Sequence, residues 1–322
     1  PQGVRVRVSP SAPFIPLIYK GFVLKAAELL RKTIHRFADE VVMQLTGKRG
    51  ISQTQIAFLM EESGGKEIYL IDFDGHNLRQ VTHDDTVNLS PAWSPDAKWI
   101  MYTSYAAHNP DLIMIDTSGQ QRQIIHRLPG LNAAPAWSPD MQSIALVLSR
   151  DQNSEVYILN KDRQLERLTR HFNIDTSPTW SPDGKKIAFT SDRSGTGAPQ
   201  IYIMDSVKGD RSQVTRISFG SGYNDNPAWS PNGDKIAYTS REKRKFQIRI
   251  YDLNTHKSQL LTSGFGSSEQ PSWSPDGRFI IYRKRENDRK NLFIQKLGSG
   301  EARQLTFSSK GHSPAWSPYS IN

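Results

Sequence analysis

The sequence predicts an all-β six-bladed β-propeller preceded by a small N-terminal α/β segment. Three observations carry this reading. One Trp-centred motif recurs six times, the first five recurrences lead into the same succession of short strands, and the two chain ends hold complementary parts of a single unit. Fixed-period self-similarity of this kind marks a repeat architecture.

The motif is Pro-x-Trp-Ser-Pro, with its tryptophans at Trp93, Trp137, Trp180, Trp229, Trp273 and Trp316, spaced 44, 43, 49, 44 and 43 residues apart. After it comes a polar turn, clearest at Asp183-Gly184 and Asp276-Gly277, then an alternating strand such as 186–191 or 235–240. A second strand follows, as at 200–205, and a short last strand ends in Thr, as at Thr169, Thr215 and Thr306. Four short strands per unit form a sheet too small to bury both faces. Stacking such sheets around an axis buries them against one another, and a repeated Trp suits the gap between them.

Residues 55–82 hold three strands without a motif of their own, and the last motif, within 313–318, has no strands after it. Pairing 313–318 with 55–82 completes a sixth blade and removes the exposed edges. The expected division is therefore residues 1–50 and 51–322. In the first segment Val4–Val8 alternates as a strand. The spacing of Phe22, Ala26, Leu29, Leu30, Ile34, Phe37, Val41 and Leu45 predicts an amphipathic helix over 21–46, stopped by Gly47. One strand and one helix make a poor core, so either this segment packs on the propeller or part of its domain is absent, and the domain reads as shortened.

Composition narrows function. With no cysteine in 322 residues, thiolate metal sites, disulfides and cysteine nucleophiles are excluded. The eight histidines show no metal-ligand spacing, and no Gly-x-Ser-x-Gly elbow is present, so no metal, cofactor or catalytic residue is expected. The formal charge is +9, of which residues 1–50 hold +6. A nearly balanced propeller argues against nucleic acid as partner. No run approaches a membrane span, and no leader pattern opens the chain, so a mature protein peripheral to the membrane is expected.

The repeats, together with the stretch from His35 to Val41, Leu45-Thr-Gly-Lys-Arg-Gly50 and Thr54-Gln-Ile-Ala-Phe58, resemble the TolB family, periplasmic propellers of the Tol-Pal envelope system. The resemblance covers about residues 25–322, and Ser313–Tyr319 looks like the family's chain end. It implies a non-enzymatic, monomeric periplasmic interaction hub that binds the lipoprotein Pal at the channel mouth and supports outer-membrane integrity and cell division. It also implies the inner-membrane protein TolA as a partner, through an N-terminal domain represented here by about fifty residues. The competing reading is a propeller whose channel binds a small molecule or performs hydrolysis.

Antiparallel order places the loops that enter each Trp strand on one face, around the channel mouth. Leu131, Asn132, Ala134 and Thr176 match the family's partner-contact positions, although Leu131 stands where a histidine is common. Asp175, Asn224, Asp225, Glu269 and His312 occupy the neighbouring mouth loops. The same face is expected to carry a basic patch of Arg241, Lys243, Arg244 and Lys245 in one blade and Arg283, Lys284 and Arg285 in the next.

Overall fold

The structure is a computed structural model. It describes residues 15–320 apart from 108, 196, 221 and 309, with side chains from residue 26 onward. The chain forms two compact units, residues 1–53 and 54–322.

In the first unit, α1 (Ile15–Thr46) starts six residues earlier than the apolar spacing indicates. Pro16 fits there because the first helical turn has no hydrogen-bonded N–H to lose. The strand expected at Val4–Val8 lies outside the described residues. Gly47 ends the helix in the left-handed region (φ 65°), its N–H donating to Met43 O at 2.8 Å. Residues 50–53 fold back on the buried Asp39 carboxylate, which accepts from Ser52 N at 2.7 Å and Gln53 N at 3.2 Å. The helix's apolar stripe is exposed, as Leu29 at 68%, Phe37 at 66% and Leu45 at 80% show. One helix with a short return has nothing of its own to cover that stripe.

The second unit is the predicted six-bladed propeller, made of six four-stranded antiparallel sheets. Blade 1 joins the chain ends: the inner strand Gly311–Trp316 pairs with Gln55–Glu62, with Ile56 opposite Trp316 and Leu59 opposite His312. Blades 2 to 6 start at the inner strands Asn88–Trp93, Asn132–Trp137, Asp175–Trp180, Asn224–Trp229 and Ser267–Trp273. Apolar clusters lie between neighbouring blades. Trp93, Ile100 and Tyr102 of blade 2, for example, pack against Ala57, Leu59, Ile68 and Leu70 of blade 1.

Each motif residue has a local task. The Ser hydroxyl after Trp bonds the next carboxylate, as Ser181 to Asp183 Oδ1 at 2.6 Å, and accepts the N–H that opens the second strand, Lys186 N at 2.9 Å. This pins the hairpin turn. Ser317 accepts Gln55 N at 3.0 Å, the same bond made across the chain ends. In blades 2, 4 and 6 the indole N–H reaches back to the previous blade: Trp93 Nε1 donates to Ala315 O, Trp180 to Ala136 O and Trp273 to Ala228 O, at 2.9–3.1 Å. In blades 3 and 5 the terminal Thr latches the outer strands, whereas in blade 4 Ser218 takes that part in place of the expected Thr215. Thr169 donates to the buried Glu155 and accepts Val156 N at 2.9 Å, and Thr262 does the same with Gln247 and Ile248 N.

Candidate functional site: the channel mouth

Every inner strand carries a left-handed residue directly before its first proline: Ser90, Ala134, Ser177, Asn226, Gln270 and Ser313, with φ between 44° and 59°. Residues before proline normally stay extended, and a non-glycine in this region costs about 1–2 kcal/mol. The strain accompanies a β-bulge in the inner ladder, for instance between Thr176 and Thr179. These six residues and their prolines line a constriction of about 170 Å³. Behind it the channel widens to about 560 Å³, lined by all six motif tryptophans and Tyr319. The tryptophans are therefore more than spacers: Trp93, Trp273 and Trp316 are buried, whereas Trp137, Trp180 and Trp229 stay half-buried at this wider end.

At the mouth, the nominated residues divide into two groups. Asn132, Asp175, Asn224 and His312 are buried and occupied. Asn132 Nδ2 donates to Pro110 O at 2.9 Å and Leu128 O at 2.7 Å, and Asn224 Nδ2 to Gln200 Oε1 at 2.8 Å. Asp175 Oδ2 accepts from Arg193 at 2.8 Å. Asn132, Asn224 and His312 thus hold blade seams, and Asp175 is held within blade 4. Leu131, Ala134, Thr176, Asp225 and Glu269 remain half-exposed around the opening. Asp225 accepts from Thr190 at 2.9 Å, and Glu269 accepts from Arg283. Of the nominated residues only Ala134 belongs to the ring itself. Ser90, Ser177, Asn226, Gln270 and Ser313 are the others. Their signal is the position directly before the first proline of each repeat.

The basic patch is likewise divided. Arg241, Lys243, Arg244, Lys245 and Arg285 are exposed, with Lys245 Nζ 4.9 Å from the centre of the exposed Phe265 ring. Arg283 is committed in the seam between blades 6 and 1, and Lys284 within its own blade. Arg283 holds Glu269 and His312, and Lys284 Nζ lies 2.7 Å from Glu286.

Two mouth groups have shifted protonation. Burial pushes the Asp175 carboxyl up to about 7 against the pull of Arg193, with Glu155 and Asp210 adding to the rise. Burial pushes His312 down to about 4, the Glu61 carboxylate opposing and Arg283 and Lys290 assisting. The hydrogen bonds suit a neutral imidazole: Nδ1 accepts from Arg283 at 3.0 Å and Nε2–H donates to Glu61 at 2.7 Å. Among the described residues no group of three or more His, Asp or Glu could hold a metal ion, and no helix is long and apolar enough to cross a membrane.

The fold is thus that of the closed six-bladed β-propellers, with a channel that narrows at one mouth. The family model described as the TolB beta propeller domain matches residues 42–320, and the chain belongs to that family. It is 33% identical to the crystal structure of TolB from Acinetobacter baumannii, with a TM-score of 0.80, covering 88% of this chain and 72% of that one. It is 51% identical over 82 residues to the Tol-Pal system protein TolB of Desulfosudis oleivorans, which is 26% of this chain and 19% of the relative. It is 35% identical over 191 residues to a TolB homolog of Chlorobium luteolum, 59% of this chain and 43% of the relative. These matches span less than half the length of either curated relative.

Proposed function

We propose that this chain is a non-enzymatic interaction hub of the Tol-Pal system in the periplasm, receiving the lipoprotein Pal at the channel mouth and supporting outer-membrane integrity and division. Family membership supports the setting, as does a relative named as a Tol-Pal system protein. The single observation that carries the site is the ring of six left-handed residues around the constriction. Strain held at one place by every blade is a mark of a functional surface. A mouth fixed by blade seams also binds with little ordering cost.

In this reading Leu131, Ala134, Thr176, Asp225 and Glu269 touch the partner, while Asn132, Asp175, Asn224 and His312 hold their backbone in place. TolA is a second proposed partner, reached through the N-terminal unit. Calorimetric titration with the soluble domain of Pal tests the proposal, alongside Thr176→Arg. Binding by the parent chain and its loss in the variant is the expected result. Absence of binding by a folded parent chain overturns it and directs attention to the tryptophan-lined wide end of the channel, whose volume suits a small molecule.

A further inference from the structure

The turn of blade 3 and the loop from blade 3 to blade 4 enclose a second depression on the mouth face, about 810 Å³, lined by Arg150, Asp151, Arg167, Arg170, His171 and Phe172 among others. We propose that it is a binding site for a small anionic ring compound, a phosphate or carboxylate carried on a sugar or a nucleoside. The site is independent of the Pal reading.

The first argument is preorganisation. Phe172 is 83% exposed, an unfavourable position for a large apolar side chain, yet its loop is tied down on every side. Asn153 Nδ2 donates to His171 O at 2.8 Å and Asn173 O at 2.9 Å, bracketing Phe172. His171 N donates to the buried Glu155 at 2.9 Å, and Arg170 N to Asp210 at 2.7 Å. Across the depression Gln152 takes a left-handed turn, φ 82°. The fold thus holds an exposed aromatic in a fixed place.

The second argument is chemistry. The His171 and Phe172 rings stack at 4.4 Å and form an aromatic wall. His171 Nδ1 accepts from Asn173 N at 3.1 Å, which leaves Nε2 to carry the proton as a donor. The acids present are already matched. Arg167 bonds Glu155 at 2.8 Å, and Asp151 accepts from Tyr157 and lies 3.5 Å from Arg167 and 3.7 Å from Arg150. Arg170 has no ion-pair partner among the described residues, and Arg150 has only its long contact. Two guanidinium forks beside an aromatic face and an imidazole N–H fit an oxyanion attached to a ring.

The test is calorimetric titration of the full chain with glucose 6-phosphate, glucuronate, adenosine monophosphate and inorganic phosphate, repeated with Arg170→Ala and Phe172→Ser. Both replaced side chains are exposed, and thermal melting checks that each variant folds. Saturable binding of at least one ring anion is expected, weakened about tenfold by either substitution. Inorganic phosphate should bind more weakly and respond only to Arg170→Ala. Which ring probe binds best separates the sugar source from the nucleoside source. As a measurement needing no variant, the ring resonances of His171 and Phe172 should shift on saturation. Lack of saturable heat with all four probes overturns the proposal, as does ring-anion binding that neither substitution changes.

Discussion

Thr54 Oγ1 accepts a hydrogen bond of 2.9 Å from the Trp316 indole, joining residues 262 positions apart in the chain. In blades 2, 4 and 6 the equivalent indole reaches the backbone of the preceding blade. Trp316 instead finds a side chain from the start of the propeller, so this bond serves ring closure. Removing the buried Trp316 side chain with Trp316→Ala should cost about 3–5 kcal/mol, read from urea denaturation. Thr54→Val should cost about 1 kcal/mol. In a double-mutant cycle of Thr54→Val with Trp316→Phe the costs should be non-additive, and simple additivity would show that the bond contributes nothing.

The left-handed ring predicts an unusual response to glycine. At Ala134, with φ 49°, a glycine removes the Cβ clash that makes this region costly. Ala134→Gly should leave stability unchanged or raise it by up to about 1 kcal/mol, whereas Ala134→Val should lower it by more than that. Chemical denaturation of the two variants reads the difference, and a loss with glycine equal to that with valine excludes strain at this position.

The blades are legible in the sequence because the Ser after each Trp performs one local task in all six repeats, and the Thr latch recurs in most of them. Ser181 pins its own hairpin and Thr169 latches its own outer strands, so the spacing records the structure directly. The mouth is less legible. Strand alternation assigns faces with a period of two, but the bulge before each proline breaks the count, and neighbouring positions exchange roles. Asn224 therefore turns into the seam while Asn226 faces the constriction. Exposure of the α1 stripe is a different failure. Periodicity reports a helix with an apolar face, and it carries no information about what covers that face.

His312 makes the closing seam sensitive to acid. Its folded pKa of about 4 lies below the ordinary value of 6.5. Between these values the unfolded chain binds more protons, so this group's contribution to stability rises with pH from about 4 to 6.5 and is lost on acidification. His312→Gln keeps an acceptor for Arg283 and a donor for Glu61 without the titration. The parent-minus-variant difference in unfolding free energy should therefore carry that slope. A flat difference across this window contradicts the buried neutral assignment.

Asp175 has the opposite sign. Its folded pKa of about 7 lies above the ordinary 3.8, so the folded chain binds more protons in between. Its contribution is fully present below about 3.8 and declines as pH rises to about 7. Asp175→Asn should remove that decline, leaving a stability profile steeper in the favourable direction between pH 4 and 7. Urea midpoints at intervals of pH measure it, and an unchanged profile would place the titration elsewhere.

In the first unit, Gly50 is required by close approach. A Cβ there would fall 2.2 Å from Asp39 Oδ1 and 2.8 Å from Asp39 Cα, and the second of these is backbone that cannot swing aside. Gly50→Ala should release residues 50–53 from the Asp39 carboxylate and speed proteolytic cleavage across that stretch. Asp39→Asn, which keeps an acceptor oxygen, should have the milder effect. Equal cleavage rates for the parent and Gly50→Ala would show that the return segment is not held by this contact.

The exposed cations of blade 5 bear on how a partner arrives. Lys243, Arg244 and Lys245 lie on a hairpin tip at the mouth face, while Arg283 is consumed in the seam with Glu269 and His312. Exposed rim charges act mainly by steering encounter, and salt screens them over about 8–10 Å. With Pal as the proposed partner, Lys243→Glu combined with Arg244→Glu should lower the association rate and flatten its dependence on ionic strength, with little change in dissociation. Arg283→Ala should behave differently. It leaves Glu269 without its cation and the His312 imidazole without a donor, so it should weaken the closing seam and lower thermal stability before any effect on binding is read. If the double charge reversal alters dissociation and not association, the blade 5 cations contact the partner directly instead of steering it.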